Sequence, residues 1–165
     1  MQRDIDQLPA RGHDAVEILI NDHNVVKSLL EQLANARETA RRKSVLEQLK
    51  AALTVHNATE ESLVYPALAE VAGKKSEAQH LYHETAEADV LVFQLDTMLK
   101  EGEESEFEST ASKLREAILE HIDDEEQKAF AHLREKAEPQ QAKMLTDSVR
   151  EFREALRFAP MAARR

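Results

Sequence analysis

The chain has 165 residues, no cysteine, 3 glycines, 4 prolines and a formal charge of −10. That length suits one domain around a shared core, and so few turn residues beside abundant alanine, leucine and glutamate select helices over sheet. The lack of cysteine excludes disulfides, thiolate ligands and cysteine nucleophiles, and the acidic balance argues against nucleic acid as a partner.

Apolar residues at helical spacing predict a first helix from about His13 to Arg37, with Val16, Leu19, Ile20, Val26, Leu30 and Leu33 on one face. After the polar stretch NARETARRKS comes a second, striped by Val45, Leu49, Ala52, Leu53, Leu63, Ala67 and Val71. Pro66 lies in its last turns, where the missing backbone donor should kink or loosen it. AGKKS reads as a turn, with Gly73 at a helix end and Ser76 as the next N-cap. A third helix should run from about Glu77 to Lys100, and a fourth from about Glu106 to Lys136 on Phe107, Ala111, Leu114, Ile118 and Ile122. Beyond Pro139, Leu145, Val149, Phe152 and Leu156 stripe a fifth, shorter helix.

The expected architecture is all-α, a single domain over 1–165: an antiparallel up-down-up-down four-helix bundle over about 13–137, plus a C-terminal amphipathic helix over about 139–158. That last helix should cross the bundle or join two copies as a homodimer. No stretch approaches the ~18 apolar residues that span a bilayer, and the charged N-terminus MQRDIDQLPARGHD lacks a leader's apolar segment. A soluble, cytoplasmic protein with no membrane partner is expected.

Five of the seven histidines have glutamate four residues later: His13, His56, His80, His83 and His121. Such pairs can be surface contacts. Phase argues otherwise for two of them. His56 and Glu60 fall within the second helix's apolar stripe, His121 and Glu125 continue the fourth helix's, and His23 sits among Leu19, Ile20, Val26 and Leu30 on the first. Imidazoles and carboxylates buried together repel or desolvate one another unless cations hold them. On the third helix, periodicity favours His80 with Glu84, whereas height counted from the flanking turns favours His83 with Glu87; we take His83 and Glu87 as inward and His80 as an outer or entrance residue. His13 and His132 read as surface residues, and Tyr65 and Tyr82 as aromatics at the edge of the core.

The inward set is thus His23, His56, Glu60, His83, Glu87, His121 and Glu125, too many ligands for one ion. Nitrogen and oxygen donors without sulfur suit a carboxylate-bridged pair of iron or manganese ions, zinc being possible on ligand type alone. Three carboxylates with a bridging oxide or hydroxide would offset most of the charge of two ferric ions, so two non-haem irons are the expected cofactor, with manganese or zinc behind them.

In the order of NDHNVVKSLL, HNATEESLVYPAL, HLYHETAEADVLVFQL and HIDDEEQKAFAHL, the chain resembles the hemerythrin-like (HHE cation-binding) family. The resemblance implies iron ligation by His23, His56, His83 and His121, with Glu60 and Glu125 bridging or capping the metals. Oxygen-carrying hemerythrins place His-x-x-x-His on the third helix and end the fourth motif with Asp one residue further on. Glu87 and the shorter spacing to Glu125 depart from that, as in bacterial variants with several His-x-x-x-Glu motifs. The extra carboxylates favour ferric iron, so peroxide or nitric oxide chemistry is expected over reversible oxygen carriage, without excluding dioxygen; weak catalase- or peroxidase-like turnover, or a sensor without turnover, both fit. Ferritin-like sites use Glu-x-x-His, a spelling met here only by Glu77 with His80.

Overall fold

The computed structural model describes residues 14–158 and is helical throughout, with no strand among those residues. The elements are α1 (Ala15–Asn35), α2 (Thr39–Thr59), a π-helical turn at Glu60–Val64, α3 (Tyr65–Glu70), α4 (Lys75–Glu101), α5 (Phe107–Asp124), a second π turn at Glu125–Ala129, α6 (Phe130–Lys136) and α7 (Pro139–Phe158). Each π turn runs unbroken from the helix before it into the helix after it, so α2 with α3, and α5 with α6, act as long rods. With α1, α4 and α7 that makes five helical rods. His13 lies outside the described residues.

Local chemistry sets the ends. Asp14 caps α1 by accepting from the Glu17 amide at 2.8 Å. Gly73 and Gly102 follow helices at positive φ, 67° and 72°, where a side chain would be strained. The second helix starts at Thr39, six residues before the predicted stripe, because its polar first turns have a buried purpose. Arg42 lies 4.4 Å over the Phe107 ring, donates to the Ala36 carbonyl at 3.1 Å and pairs with Glu104 at 3.1 Å. Ser76 falls within the first turn of α4 and does not cap it; Lys74 holds that position.

The π turns correct the predicted stripe of the second rod. A π turn bonds i to i+5 and so inserts one residue into the helical count. Beyond Glu60 the apolar stripe therefore falls on Val64, Leu68 and Ala72, each one place later than Leu63, Ala67 and Val71. At Pro66 the helix continues past the π turn without a break. The proline sits at the start of α3, and the Glu61 carbonyl, which in a π turn would await an amide at position 66, accepts instead from the Tyr82 hydroxyl at 2.8 Å.

The apolar interior falls into two clusters. One holds Val26, Leu30, Leu49, Leu95, Phe107, Leu114 and Ile118 among others; the second gathers around Leu19, Tyr65, Leu68, Leu81, Phe130 and Leu133. Between them lies a polar layer. α7 packs against its own chain, on α1, α2 and the first π turn, with Val149 fully buried and Leu145, Phe152 and Leu156 half-buried. No helix among the described residues is long and apolar enough to cross a membrane.

Burial predicts a sharp contrast. Leu114 is 0 % exposed and Phe93 70 % exposed. Leu114→Ala should cost about 2–5 kcal/mol of unfolding free energy, whereas Phe93→Ser should change it by less than about 1 kcal/mol. Urea titrations of the two variants check this, and equal losses would contradict the assignment of the core.

Candidate metal centre

Three rods carry the polar layer. α1 supplies His23, α2 supplies His56, the first π turn Glu60, α5 His121 and the second π turn Glu125; all five are buried. The imidazoles turn Nε2 inward. His56 Nε2 lies 3.0 Å from Glu60 Oε1, His121 Nε2 3.0 Å from Glu125 Oε1, and His23 Nε2 3.0 Å from Glu125 Oε2 and 3.9 Å from Glu60 Oε1. The His23 and His56 rings meet edge-on at 4.8 Å, and the Phe130 ring stacks on His23.

Each outer nitrogen is held by a different carboxylate. His56 Nδ1 faces Asp22 Oδ2 at 3.1 Å, His23 Nδ1 faces Glu126 Oε1 at 2.8 Å, and His121 Nδ1 faces Glu84 Oε2 at 2.7 Å. Such partners fix the ring plane and leave Nε2 as the atom offered inward. Asp22 is gripped in turn by Arg153 of α7 through both carboxylate oxygens, at 2.5 and 2.8 Å.

Tyr65 completes the layer. It is 1 % exposed, so it is a core residue and not the edge aromatic expected. Its hydroxyl lies 2.8 Å from Glu60 Oε2, 2.6 Å from Glu125 Oε1 and 3.2 Å from His121 Nε2. Burial, reinforced by the charges of Glu60 and Glu125, pushes the phenol well above its ordinary range, so it stays protonated and donates.

The structure brings together five of the seven predicted inward residues. His83 and Glu87 are not among them: their side chains are 72 % and 65 % exposed and pair with each other at 3.1 Å. The buried face of α4 runs through Ala78, Leu81, Thr85 and Ala88, and Glu84 flanks it while residues 83 and 87 lie on the far side. Helical phase therefore overrides height. Height gives only the level of a residue along the bundle, and phase decides which face it shows. In the sequence reading Glu84 is weighed with His80 and set aside, Tyr65 is left at the edge of the core, and Asp22, Glu126 and Arg153 escape it altogether. One signal could have found two of them. HNATEESLVY and HIDDEEQKAF share the spelling His-x₃-Glu-Glu-x₃-aromatic, and in both the first glutamate opens a π turn whose carbonyl accepts from the aromatic residue's amide.

The layer has the character of a cation cage. His23, His56, Glu60 and Glu125 each offer an atom within 4.8 Å of the others. His23 Nε2, Glu60 Oε1 and Glu125 Oε2 are fully buried without a hydrogen-bond partner, an arrangement that costs several kcal/mol when nothing satisfies it. A cation among them would satisfy all three, so the residues present fit a metal. Beside the rings is a cavity of about 20 Å³, walled by Val26, Leu53, Ala88, Ile118 and Ile122, with room for roughly one water-sized guest.

Without metal, protons take the cation's place. Burial opposes charging the histidines, but the surrounding carboxylates outweigh it and raise His23 to about 9 and His56 and His121 to about 10. Glu60, also opposed by burial, is driven well below the usual carboxylate range by His56 and His23.

The family model described as "Hemerythrin HHE cation binding domain" matches residues 14–133. The chain is also similar to a protein named DNA nickase from Nostoc sp. (strain PCC 7120 / SAG 25.82 / UTEX 2576), 26 % identical over 118 residues. That match covers 72 % of this chain and spans 33 % of the nickase.

The raised histidines fix the sign of one prediction. Their folded values exceed the ordinary 6.5, so the stability they contribute to metal-free protein is complete below about 6.5 and is lost as the pH climbs through 9–10. Glu60 contributes in the opposite sense, fully above its ordinary 4.5 and less as acid is added. The thermal midpoint of metal-free protein should peak between these limits and fall steadily toward pH 10; calorimetry checks it, and a flat profile above pH 6.5 would contradict the protonated layer.

Proposed function

This chain belongs to the hemerythrin HHE cation-binding domain family, and from that premise we propose that its buried layer holds two non-haem iron ions and binds or reacts with dioxygen, peroxide or nitric oxide. The observation that carries the reading is the division of the carboxylate oxygens. Glu60 turns Oε1 toward His56 and His23 and Oε2 toward Tyr65; Glu125 turns Oε2 toward His23 and Oε1 toward His121 and Tyr65. Two donor sets result, one built on His23 and His56 and one on His121 and Tyr65, with both glutamates common to them. Shared carboxylates are how helical bundles hold metal pairs. Nitrogen and oxygen ligands place iron ahead of zinc, with manganese next. The family's helix arrangement, an antiparallel up-down-up-down bundle in one domain with α7 laid across it, is part of this reading.

When bound, the iron pair would supply a redox centre with a coordination position open to a small ligand. The chain's own residues do the rest. Asp22, Glu126 and Glu84 keep the three imidazoles aimed inward, and apolar side chains wall most of the cavity beside them. The cavity's size limits access to molecules about as large as water or a diatomic. Tyr65 places a buried hydroxyl, able to hold or give a proton, between the two glutamates. Turnover of peroxide is a proposal at the same level.

A second reading, an iron- or oxygen-responsive module without turnover, is favoured by the Arg153–Asp22–His56 chain, which ties α7 directly to a ligand of the first donor set. Limited proteolysis of iron-free and iron-loaded protein tests it, since identical cleavage of α7 would leave nothing to transmit. The nickase of Nostoc is read as a sharer of this module. Its name carries no cleavage chemistry to a chain that spans a third of it, and a charge of −10 opposes a phosphate backbone.

Protein loaded anaerobically with ferrous iron and then exposed to air should retain about two irons per chain and absorb in the near ultraviolet. Glu60→Ala should lose both ions, whereas His83→Ala should keep them; one ion or none in the parent protein would overturn the pair. Iron uptake should release protons and tighten as the pH rises from 6.5 to about 9, because His23 must surrender its proton. Chelation should lower the melting temperature, as removal of a ligand bound to the folded state does.

A further inference from the structure

Outside the buried layer, one more group of metal-binding side chains converges among the described residues. His80, Glu84 and Asp124 each offer an atom within 4.8 Å of the others. His80 Nε2 lies 3.0 Å from Glu84 Oε1 and 3.8 Å from Asp124 Oδ2. The set joins α4 to the end of α5.

The carboxylates are aimed before any ion arrives. Each has one oxygen committed elsewhere: Glu84 Oε2 to His121 Nδ1 at 2.7 Å, and Asp124 Oδ1 to Lys128 Nζ at 2.6 Å. That leaves Glu84 Oε1 and Asp124 Oδ2 turned toward His80, the arrangement by which outer partners orient the ligands of metal sites. Exposure is graded in the same sense, with Glu84 at 13 % and Asp124 at 21 % beneath His80 at 60 %. Partly buried acids thus form a floor, and the imidazole is reached from solvent. Glu77 and Asp123 stand near enough to act on Lys128, so the surroundings are negative and favour a cation. The His83–Glu87 pair has the same spacing along α4 and a similar 3.1 Å separation, yet no third ligand meets it and both side chains lie in solvent.

The geometry points to a second, solvent-reached divalent-cation site whose protein ligands are His80 Nε2, Glu84 Oε1 and Asp124 Oδ2, on the opposite side of Glu84 from the buried layer. One imidazole with two carboxylates, its remaining positions open to water, suits manganese or zinc. The site stands whether or not the interior holds iron, because it uses none of the inward-facing atoms.

Manganese(II) is the probe, counted on the full chain by loss of the free ion's paramagnetic resonance signal. His80→Ala and Asp124→Asn should each weaken one manganese site by roughly 10-fold or more and leave the others as they were. His83→Ala, which removes an exposed histidine with the same glutamate spacing, should bind like the parent. Glu60→Gln, which disables the interior, should retain the His80-dependent ion. Parental binding by His80→Ala would overturn the assignment. So would equal losses in His80→Ala and His83→Ala, which would make the binding a property of any surface His–Glu pair. Disappearance of every ion in a folded Glu60→Gln protein would assign them all to the buried layer and overturn it equally.

Discussion

A layer of three imidazoles, two carboxylates and a phenol lies across the middle of an otherwise apolar bundle, and its charge balance constrains everything around it. Unpaired, any one of these carboxylates would cost several kcal/mol to bury. The layer survives because every group faces one of opposite or complementary character: Glu60 faces His56, Glu125 faces His121 and His23, and Tyr65 donates between the two glutamates. The apolar core accordingly splits, with Leu49, Leu95 and Leu114 in one half and Leu19, Leu68 and Leu133 in the other.

The two π turns are the local consequence of that constraint. An α-helix places His and Glu at i,i+4 on one face, which brings Glu60 under His56 and Glu125 under His121. Continuing the α count would bury Leu63 in place of Val64, and it would displace the aromatic residues at 65 and 130. The extra residue returns Tyr65 to the layer and Phe130 to the face of His23. π turns recur at functional sites for this reason, since they re-aim side chains without ending a helix.

Rigidity reaches outward through Asp22, Glu84 and Glu126, each of which couples an inner imidazole to a different part of the surface. Asp22 leads to Arg153, and so to α7. Glu84 leads to His80 and Asp124 on the seam between α4 and α5. Glu126 stays close to His23 at the rim of the layer, with Lys27 3.9 Å away. The C-terminal helix therefore has a polar tie to the centre as well as an apolar one through Val149.

Sequence alone determined the helical class, the positions of the main apolar stripes, and the inward placement of His23, His56, Glu60, His121 and Glu125. These are properties of a single helix, for phase at 3.6 residues per turn is local and a charged pair within an apolar stripe is visible without a partner. Tertiary structure decided what depends on two rods meeting. It chose Glu84 over His83 and Glu87, because the face α4 shows its neighbours is set by packing and height says nothing of that face. It also brought Tyr65 inward and recruited Asp22, Glu126 and Arg153, whose charges read as surface residues until another helix supplies the imidazole or carboxylate they hold. Contacts between residues 103 or 131 positions apart, as in His23–Glu126 and Asp22–Arg153, leave no periodic trace in either segment.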